Sequence, residues 1–102
     1  MTTIVVKNHD DFEALVGAND FRISRAIVEG ILKNLYTTKR FVYILSIEVE
    51  EDQRTYDITI ERDDFLEGLE TNLKHYERNE EYETCDKIVK GIKFLKKINP
   101  EK

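Results

Sequence analysis

Residues 63–98 have the sequence DDFLEGLETNLKHYERNEEYETCDKIVKGIKFLKKI, and their pattern predicts the C-terminal part of the fold. Apolar residues recur there at spacings of three and four on both sides of a short polar segment, which predicts two amphipathic helices joined by a turn. Each helix needs a partner for its apolar seam, so we expect an antiparallel helical hairpin over residues 63–98. A hairpin offers shape and charge rather than a reactive pocket, which favours docking over catalysis. The seam residues are Leu66, Leu69, Leu73, Tyr76, Cys85, Ile88, Ile92 and Leu95.

The composition indicates a single domain over residues 1–102. With 40% apolar residues, a chain of this length can build one hydrophobic core. Charged residues of both signs make up 36% of the chain and leave a net charge of -5, which favours a solvated surface and disfavours nonspecific attraction to phosphate backbones. Cys85 is the only cysteine, so we expect a buried thiol and no internal disulfide. No secretory leader or long apolar run is present, so we expect a cytoplasmic protein without a membrane segment.

Three elements are predicted in the first third of the chain. Residues 3–7 favour a short strand. The D-x-x-E spacing of Asp10 and Glu13 is typical of a capping box that opens a short helix ending at Gly17. Apolar residues then repeat every four positions over residues 20–36, which predicts a longer helix. Gly30 lies inside that helix, where another element could approach closely.

The central segment predicts a β-hairpin. Apolar and polar residues alternate from Tyr43 to Glu50 and again from Tyr56 to Glu61, with a polar turn between them. Pairing Val49 with Tyr56 buries every apolar residue on one face. The same register sets Glu48 opposite Asp57, where like charges repel. Its other apolar pairs are Ile47 with Ile58 and Leu45 with Ile60.

The predicted fold class is α+β with the order β-α-α-β-β-α-α. A second D-x-x-E spacing, at Asp64 and Glu67, is expected to start the C-terminal helices. We expect a small antiparallel sheet, consisting of the β-hairpin and in one alternative of residues 3–7 as a third strand, with helices packed on its apolar face. A sheet with so few strands leaves edges that can pair with a second copy, so the sequence leaves open whether the protein forms a homo-oligomer.

The last third of the chain resembles the UVR motif, a helical hairpin found in bacterial excision-repair proteins and in adaptor proteins of stress proteolysis. Its spacing is kept without insertion, and what this resemblance implies is protein docking. The whole chain also resembles, in composition alone, the small accessory proteins of T4-like tailed phages. The residues that match the UVR pattern are Leu69, Glu70, Leu73, Tyr82, Glu83, Cys85, Ile88, Ile92 and Leu95.

No catalytic or metal-binding pattern is present in the sequence. His9 and His75 are the only histidines, and they share no local motif with each other or with other metal-ligating residues. A catalytic site needs a base, a nucleophile and an orienting group together. We therefore expect a protein that is not an enzyme and that needs no metal or cofactor.

The densest acidic surface is predicted on the outer face of the β-hairpin. It comprises Glu48, Glu50, Asp57 and Glu61, with Glu51 and Asp52 at the tip. A solvated face is the simplest interpretation. Weak binding of a divalent cation and contact with the basic surface of another protein remain alternatives.

Two basic groups are apparent. The last helix is rich in lysine, but Phe94 is the only aromatic residue among these lysines, so we do not expect nucleic-acid binding. Around the second helix and its exit, basic side chains are accompanied by hydroxyl groups, although no glycine-rich phosphate loop is present. This second group is the best candidate site for a small anionic ligand. Its basic residues are Arg22, Arg25, Lys33, Lys39 and Arg40.

The sequence favours a non-enzymatic protein-binding accessory protein that occludes or bridges its partner, as a phage factor for host takeover or anti-defence would in the host cytoplasm. We expect contacts through the acidic face and through the turn of the helical hairpin, where side chains project freely. Tyr82 offers an aromatic anchor there, although it could instead cap the hairpin core. The alternative function is a sponge for a small anion such as a signalling nucleotide, held by Arg22, Arg25, Lys39 and Arg40. The turn residues are Arg78, Asn79, Glu81 and Tyr82.

Overall fold

The computed structural model describes residues 3–17 and 20–98, which form three strands and four α-helices. Their order, β-α-α-β-β-α-α, and the α+β class confirm the prediction. A single 3-10 turn, Arg62–Asp64, joins the last strand to the C-terminal helices. The elements are β1 (Thr3–Val6), α1 (His9–Gly17), α2 (Phe21–Lys33), β2 (Phe41–Val49), β3 (Arg54–Glu61), α3 (Phe65–Arg78) and α4 (Tyr82–Ile98).

The three strands form one sheet in the order β1-β2-β3. β1 joins it as the third strand and runs parallel to β2, with Ile4 beside Ile47. The sheet is therefore mixed rather than wholly antiparallel. The reason is the connection: α1 and α2 together form a crossover, which returns the chain to the sheet in the same direction.

The predicted register of the β-hairpin is wrong by two residues. Ile47 pairs with Tyr56 and Leu45 pairs with Ile58, because the turn occupies residues 50–53 and β3 begins opposite Val49. The last turn residue, Gln53, has a φ of 57° and so occupies the left-handed region that a tight reversal requires.

A β-bulge at Ile44 changes which side chains of β2 face the core. Tyr43 pairs with Thr59 and Leu45 with Ile58, so Ile44 is the extra residue. Ile44 and Leu45 are both buried, whereas Tyr43 turns to the outer face. Sequence alternation alone had placed Tyr43 in the apolar stripe.

The predicted repulsion between Glu48 and Asp57 is also absent, because Glu48 lies opposite Thr55 and Asp57 lies opposite Ser46. The Ser46 hydroxyl donates a hydrogen bond of 2.6 Å to the Asp57 carboxylate. The true register therefore replaces a like-charge pair with a hydrogen-bonded one.

The helix caps differ from the two predicted D-x-x-E boxes. The Asn8 side chain caps α1 by accepting a hydrogen bond of 2.8 Å from the backbone N–H of Asp11. Asp64 precedes α3 but makes no side-chain cap bond. Asp20 caps α2 by accepting a hydrogen bond of 2.8 Å from the backbone N–H of Arg22.

The C-terminal helical hairpin forms as predicted and packs on α2. Four of its seam residues, Leu69, Tyr76, Ile88 and Leu95, are buried. The other four, Leu66, Leu73, Cys85 and Ile92, pack partly buried at the margin of the same core.

Gly30 permits the close approach that its position suggested. A Cβ atom there would lie 2.7 Å from Cδ1 of Ile44, so α2 packs directly on the bulged part of β2. Apolar side chains from all three strands and all four helices contribute to one continuous core.

Candidate docking surfaces

The outer face of the sheet carries no helix among the described residues. Strand residues pointing to the opposite side pack in or against the core with the helices, except for exposed Arg54 and half-buried Tyr56. Residues on the outer face are exposed, Ser46 excepted. Every charged residue on this outer face is acidic. We call it the open face; its members are Thr3, Val5, Phe41, Tyr43, Ser46, Glu48, Thr55, Asp57, Thr59 and Glu61.

Three large apolar or aromatic side chains lie on the open face. Val5 is 54% exposed, Phe41 is 60% exposed and Tyr43 is 37% exposed. The hydroxyl of Tyr43 hydrogen-bonds that of Ser46, which itself donates to Asp57, so the ring is held in place. Exposed apolar and aromatic groups beside acidic side chains offer a partner both an anchor and a charge pattern.

The acidic turn of the β-hairpin contacts the start of α1 and is therefore not part of the open face. His9, the first residue of α1, pairs through Nε2 with the Asp52 carboxylate at 2.7 Å, and its backbone N–H donates to Glu51 at 3.4 Å. Carboxylates at a helix N-terminus also complement its dipole. The hydrogen bond raises the pKa of His9 and lowers the pKa of Asp52. Glu50 lies exposed where this turn begins.

The turn of the helical hairpin presents only part of its predicted site. Tyr82 is 67% exposed, which excludes a role in capping the hairpin core, and Arg78 is exposed as well. Asn79 instead caps α3, since its side-chain amide donates a hydrogen bond of 2.7 Å to the carbonyl of His75. Glu81 pairs with Arg25 of α2 at 3.4 Å.

The four basic residues of the predicted anion site do not converge. Arg22 and Arg25 lie in the first turns of α2, whereas Lys39 and Arg40 follow its C-terminal end. A 13-residue helix is about 20 Å long. Arg22 also pairs with Asp20 at 3.1 Å, and that hydrogen bond lowers the pKa of Asp20.

A cleft of about 330 Å³ lies between α2 and the helical hairpin. Val28, Leu32 and the largely buried Tyr76 supply its apolar lining, and burial raises the pKa of the Tyr76 hydroxyl. Both charge signs line it in nearly equal number, so it presents no concentrated positive field for an anion. Its polar lining residues are Arg25, Glu29, Lys33, Glu81, Thr84 and Lys87.

Arg62 has a structural role that the sequence analysis missed. Its guanidinium donates to backbone carbonyls of Asn34 and Lys39 at 2.9 and 2.7 Å, and to the hydroxyl of Thr37 at 3.0 Å. It also lies over the ring of Phe65, 4.8 Å from the centroid. Arg62 therefore fixes the connection between α2 and β2; its acceptors are backbone atoms distant in sequence, so no local pattern marks it.

No group of three or more potential metal ligands occurs within residues 3–17 and 20–98. Cys85 is half-buried, and burial raises the pKa of its thiol, which makes it less reactive. None of the described helices has the length and apolar character needed to cross a bilayer.

No family model, curated protein or solved structure matches the chain. The likenesses to the UVR motif and to phage accessory proteins therefore stay resemblances of pattern and composition.

Proposed function

We propose that the protein is a non-enzymatic accessory protein that binds another protein through its open face and occludes a basic surface of that partner. The observation that carries this proposal is the composition of the open face: it exposes Val5, Phe41 and Tyr43, and its charged members, Glu48, Asp57 and Glu61, are all acidic, while Arg40 and Arg62 border Phe41 at the end of the face. Apolar anchors supply affinity, and surrounding charges of one sign select a partner of the opposite sign.

The shape of the open face suits occlusion rather than chemistry. It is a sheet surface whose polar groups are hydroxyls and solvent-exposed carboxylates. Carboxylates on an exposed sheet surface do not enclose a substrate as general acid or base work requires. Binding by such a surface can block a partner's own site, which is how a phage factor for host takeover or anti-defence would act in the host cytoplasm.

The exposed pair Arg78 and Tyr82 at the hairpin turn is the second predicted contact. It is separate in sequence from the open face, and Asn79 and Glu81 beside it already have partners within the chain. We therefore assign the main contact to the open face.

Capture of the partner by tagged variants tests this proposal. Phe41→Ser removes an exposed aromatic group from the open face, and Tyr36→Ser removes one that is 77% exposed elsewhere. We expect Phe41→Ser to lose stoichiometric capture and Tyr36→Ser to retain it, with both variants folded by circular dichroism. Retained capture in Phe41→Ser together with loss in Tyr82→Ser would move the contact to the hairpin turn.

The alternative, sequestration of a small anion, was predicted at Arg22, Arg25, Lys39 and Arg40, which do not converge. The basic residues that the cleft beside α2 does bring together are Arg25, Lys33 and Lys87. Glu29 and Glu81 in the same cleft oppose anion binding electrostatically. Analysis of small molecules released when the captured protein is denatured addresses this alternative directly. A nucleotide released in stoichiometric amount, and lost in Lys33→Gln, would replace the docking proposal.

A further inference from the structure

β3 is an edge strand whose outer edge pairs with no other strand among the described residues. It is eight residues long and regular, since the bulge lies in β2. Edge strands are usually protected by proline, lysine, a bulge or an inward-facing charge, because their unpaired N–H and C=O groups can pair with another strand. Arg54, at the start of β3, is the strand's one inward-facing charge, and residues 55–61 contain no proline, lysine, bulge or inward-facing charge.

An apolar groove runs along the same edge on the inner side of the sheet. Its two adjoining parts have volumes of about 290 and 310 Å³, and both are lined by Ile27 and Asn72. Ile58 and Ile60 of β3 contribute to its lining and are only partly buried. Unsatisfied backbone pairing and uncovered apolar surface therefore coincide at β3.

We propose that a second copy of this chain occupies this edge. The two β3 strands run antiparallel about a two-fold axis at Ile58, so the two sheets join into one of six strands. On the inner side, Ile58 meets the partner's Ile58, and Tyr56 meets the partner's Ile60. On the open face, Asp57 lies opposite the partner's Thr59, whose hydroxyl can donate to the carboxylate.

The charges of Asp57 and Glu61 disfavour the two neighbouring registers, whereas the register at Ile58 brings no like charges together within residues 55–61. Residues that oppose each other across an antiparallel pair share a face, so alternative two-fold registers place a different residue at the axis. With Asp57 at the axis, it would face the partner's Asp57. With Thr59 at the axis, Asp57 would face the partner's Glu61. With Tyr56 at the axis, Arg54 would stand against the partner's Ile58 on the apolar side.

This pairing is independent of the proposed function, although the two are compatible. It uses the edge of β3, its inner side chains and Asp57 and Thr59 at the margin of the open face, and it leaves the rest of the open faces of both copies exposed side by side. A failure of the dimer would leave docking by a single copy intact, and a failure of docking would leave the dimer intact.

Sedimentation velocity of the untagged protein over a wide concentration range measures the dimer. Thr59 is exposed, so Thr59→Asp places two new repulsions against Asp57 across the interface without disturbing the core. We expect it to weaken the dimer about tenfold and Thr59→Lys to tighten it about fivefold. Lys97→Gln makes the same net charge change as Thr59→Asp on exposed α4, and we expect no effect from it.

Protection of β3 amides against hydrogen exchange gives a second measurement that needs no variant. We expect protection of residues 55–61 to increase with protein concentration. A monomer at every concentration would overturn the proposal, as would a dimer that responds equally to Thr59→Asp and Lys97→Gln. The proposal would also be overturned by a dimer in which the protection of β3 amides does not change with protein concentration.

Discussion

The guanidinium of Arg62 lies 2.9 Å from the carbonyl oxygen of Asn34, the residue that caps the C-terminal end of α2. The last carbonyls of a helix have no partner within it, and a cation placed there also complements the helix dipole. Arg62 belongs to the turn after β3, so this contact ties the end of the β-hairpin to the helix that covers it.

We expect Arg62→Lys to lower the free energy of unfolding by about 1 to 2 kcal/mol, because a single ammonium group cannot reach all the acceptors that the planar guanidinium bridges. Arg78→Ala is the control, since Arg78 is exposed and makes no hydrogen bond or ion pair within the described residues; its effect should stay within about 0.5 kcal/mol. Denaturant melts of both variants measure the difference. Equal effects would mean that the Arg62 contacts contribute little.

Glycine in place of Glu80, in the turn between α3 and α4, should stabilise the protein. Glu80 has a φ of 55°, and the next N–H, that of Glu81, donates to the carbonyl of Tyr76 at 3.1 Å, as in a helix end with a left-handed residue. A side chain in that conformation costs about 1 kcal/mol or more. Glu80→Gly should therefore raise the free energy of unfolding by about 0.5 kcal/mol, after the greater flexibility of glycine in the unfolded chain is subtracted.

Lys93→Gly supplies the comparison for Glu80→Gly, because Lys93 is an exposed position inside α4. Glycine there should lower the free energy of unfolding by about 1 kcal/mol. Thermal melts showing the same sign for both variants would contradict the left-handed conformation of Glu80.

The pair formed by His9 and Asp52 predicts a pH dependence of stability. The pKa of His9 is raised above 6.5, so its contribution is fully present below pH 6.5 and is lost as the pH rises through the folded-state pKa. The pKa of Asp52 is lowered below 3.8, so its contribution is present above pH 3.8 and is lost as the pH falls through its folded-state pKa. The pair therefore stabilises most between these limits.

An NMR titration of the His9 ring should give a midpoint above 6.5 that moves down in Asp52→Asn. Denaturant melts should show that His9→Asn loses stability relative to the parent protein mainly between pH 3.8 and 6.5. A His9 midpoint that does not respond to Asp52→Asn would show that the two groups do not interact in solution.

The sequence predicted the elements whose apolar period is long and regular. α3 and α4 were predicted from two regular series of apolar residues. α2 was predicted from a similar series that begins after the capping residue Asp20. The hairpin register was missed because alternation does not fix the length of the turn, which occupies residues 50–53 and starts β3 opposite Val49. Alternation also cannot reveal the bulge, since Tyr43, Ile44 and Leu45 are all compatible with the apolar side.

Alternation of apolar and polar residues predicted only part of the open face. Alternation placed Glu48, Asp57 and Glu61 on the outer face correctly, because one face of a half-covered sheet must be polar. It did not place Phe41 and Tyr43 there, since their exposure depends on the bulge and on the end of the strand. The anion site failed to converge because residues at opposite ends of α2 are close in sequence but separated by the length of the helix.

Docking of a basic partner on the open face is tested most directly by two charge reversals. The measurement compares the affinity of the captured partner for Glu48→Lys with its affinity for Glu13→Lys. Both residues are exposed and both changes shift the net charge equally, but Glu48 lies on the open face and Glu13 lies on α1. Isothermal titration calorimetry should show binding weakened about tenfold or more by Glu48→Lys, with the parent affinity falling as salt is added, and little change from Glu13→Lys. Equal affinities of the parent protein and Glu48→Lys would contradict docking of a basic partner on the open face.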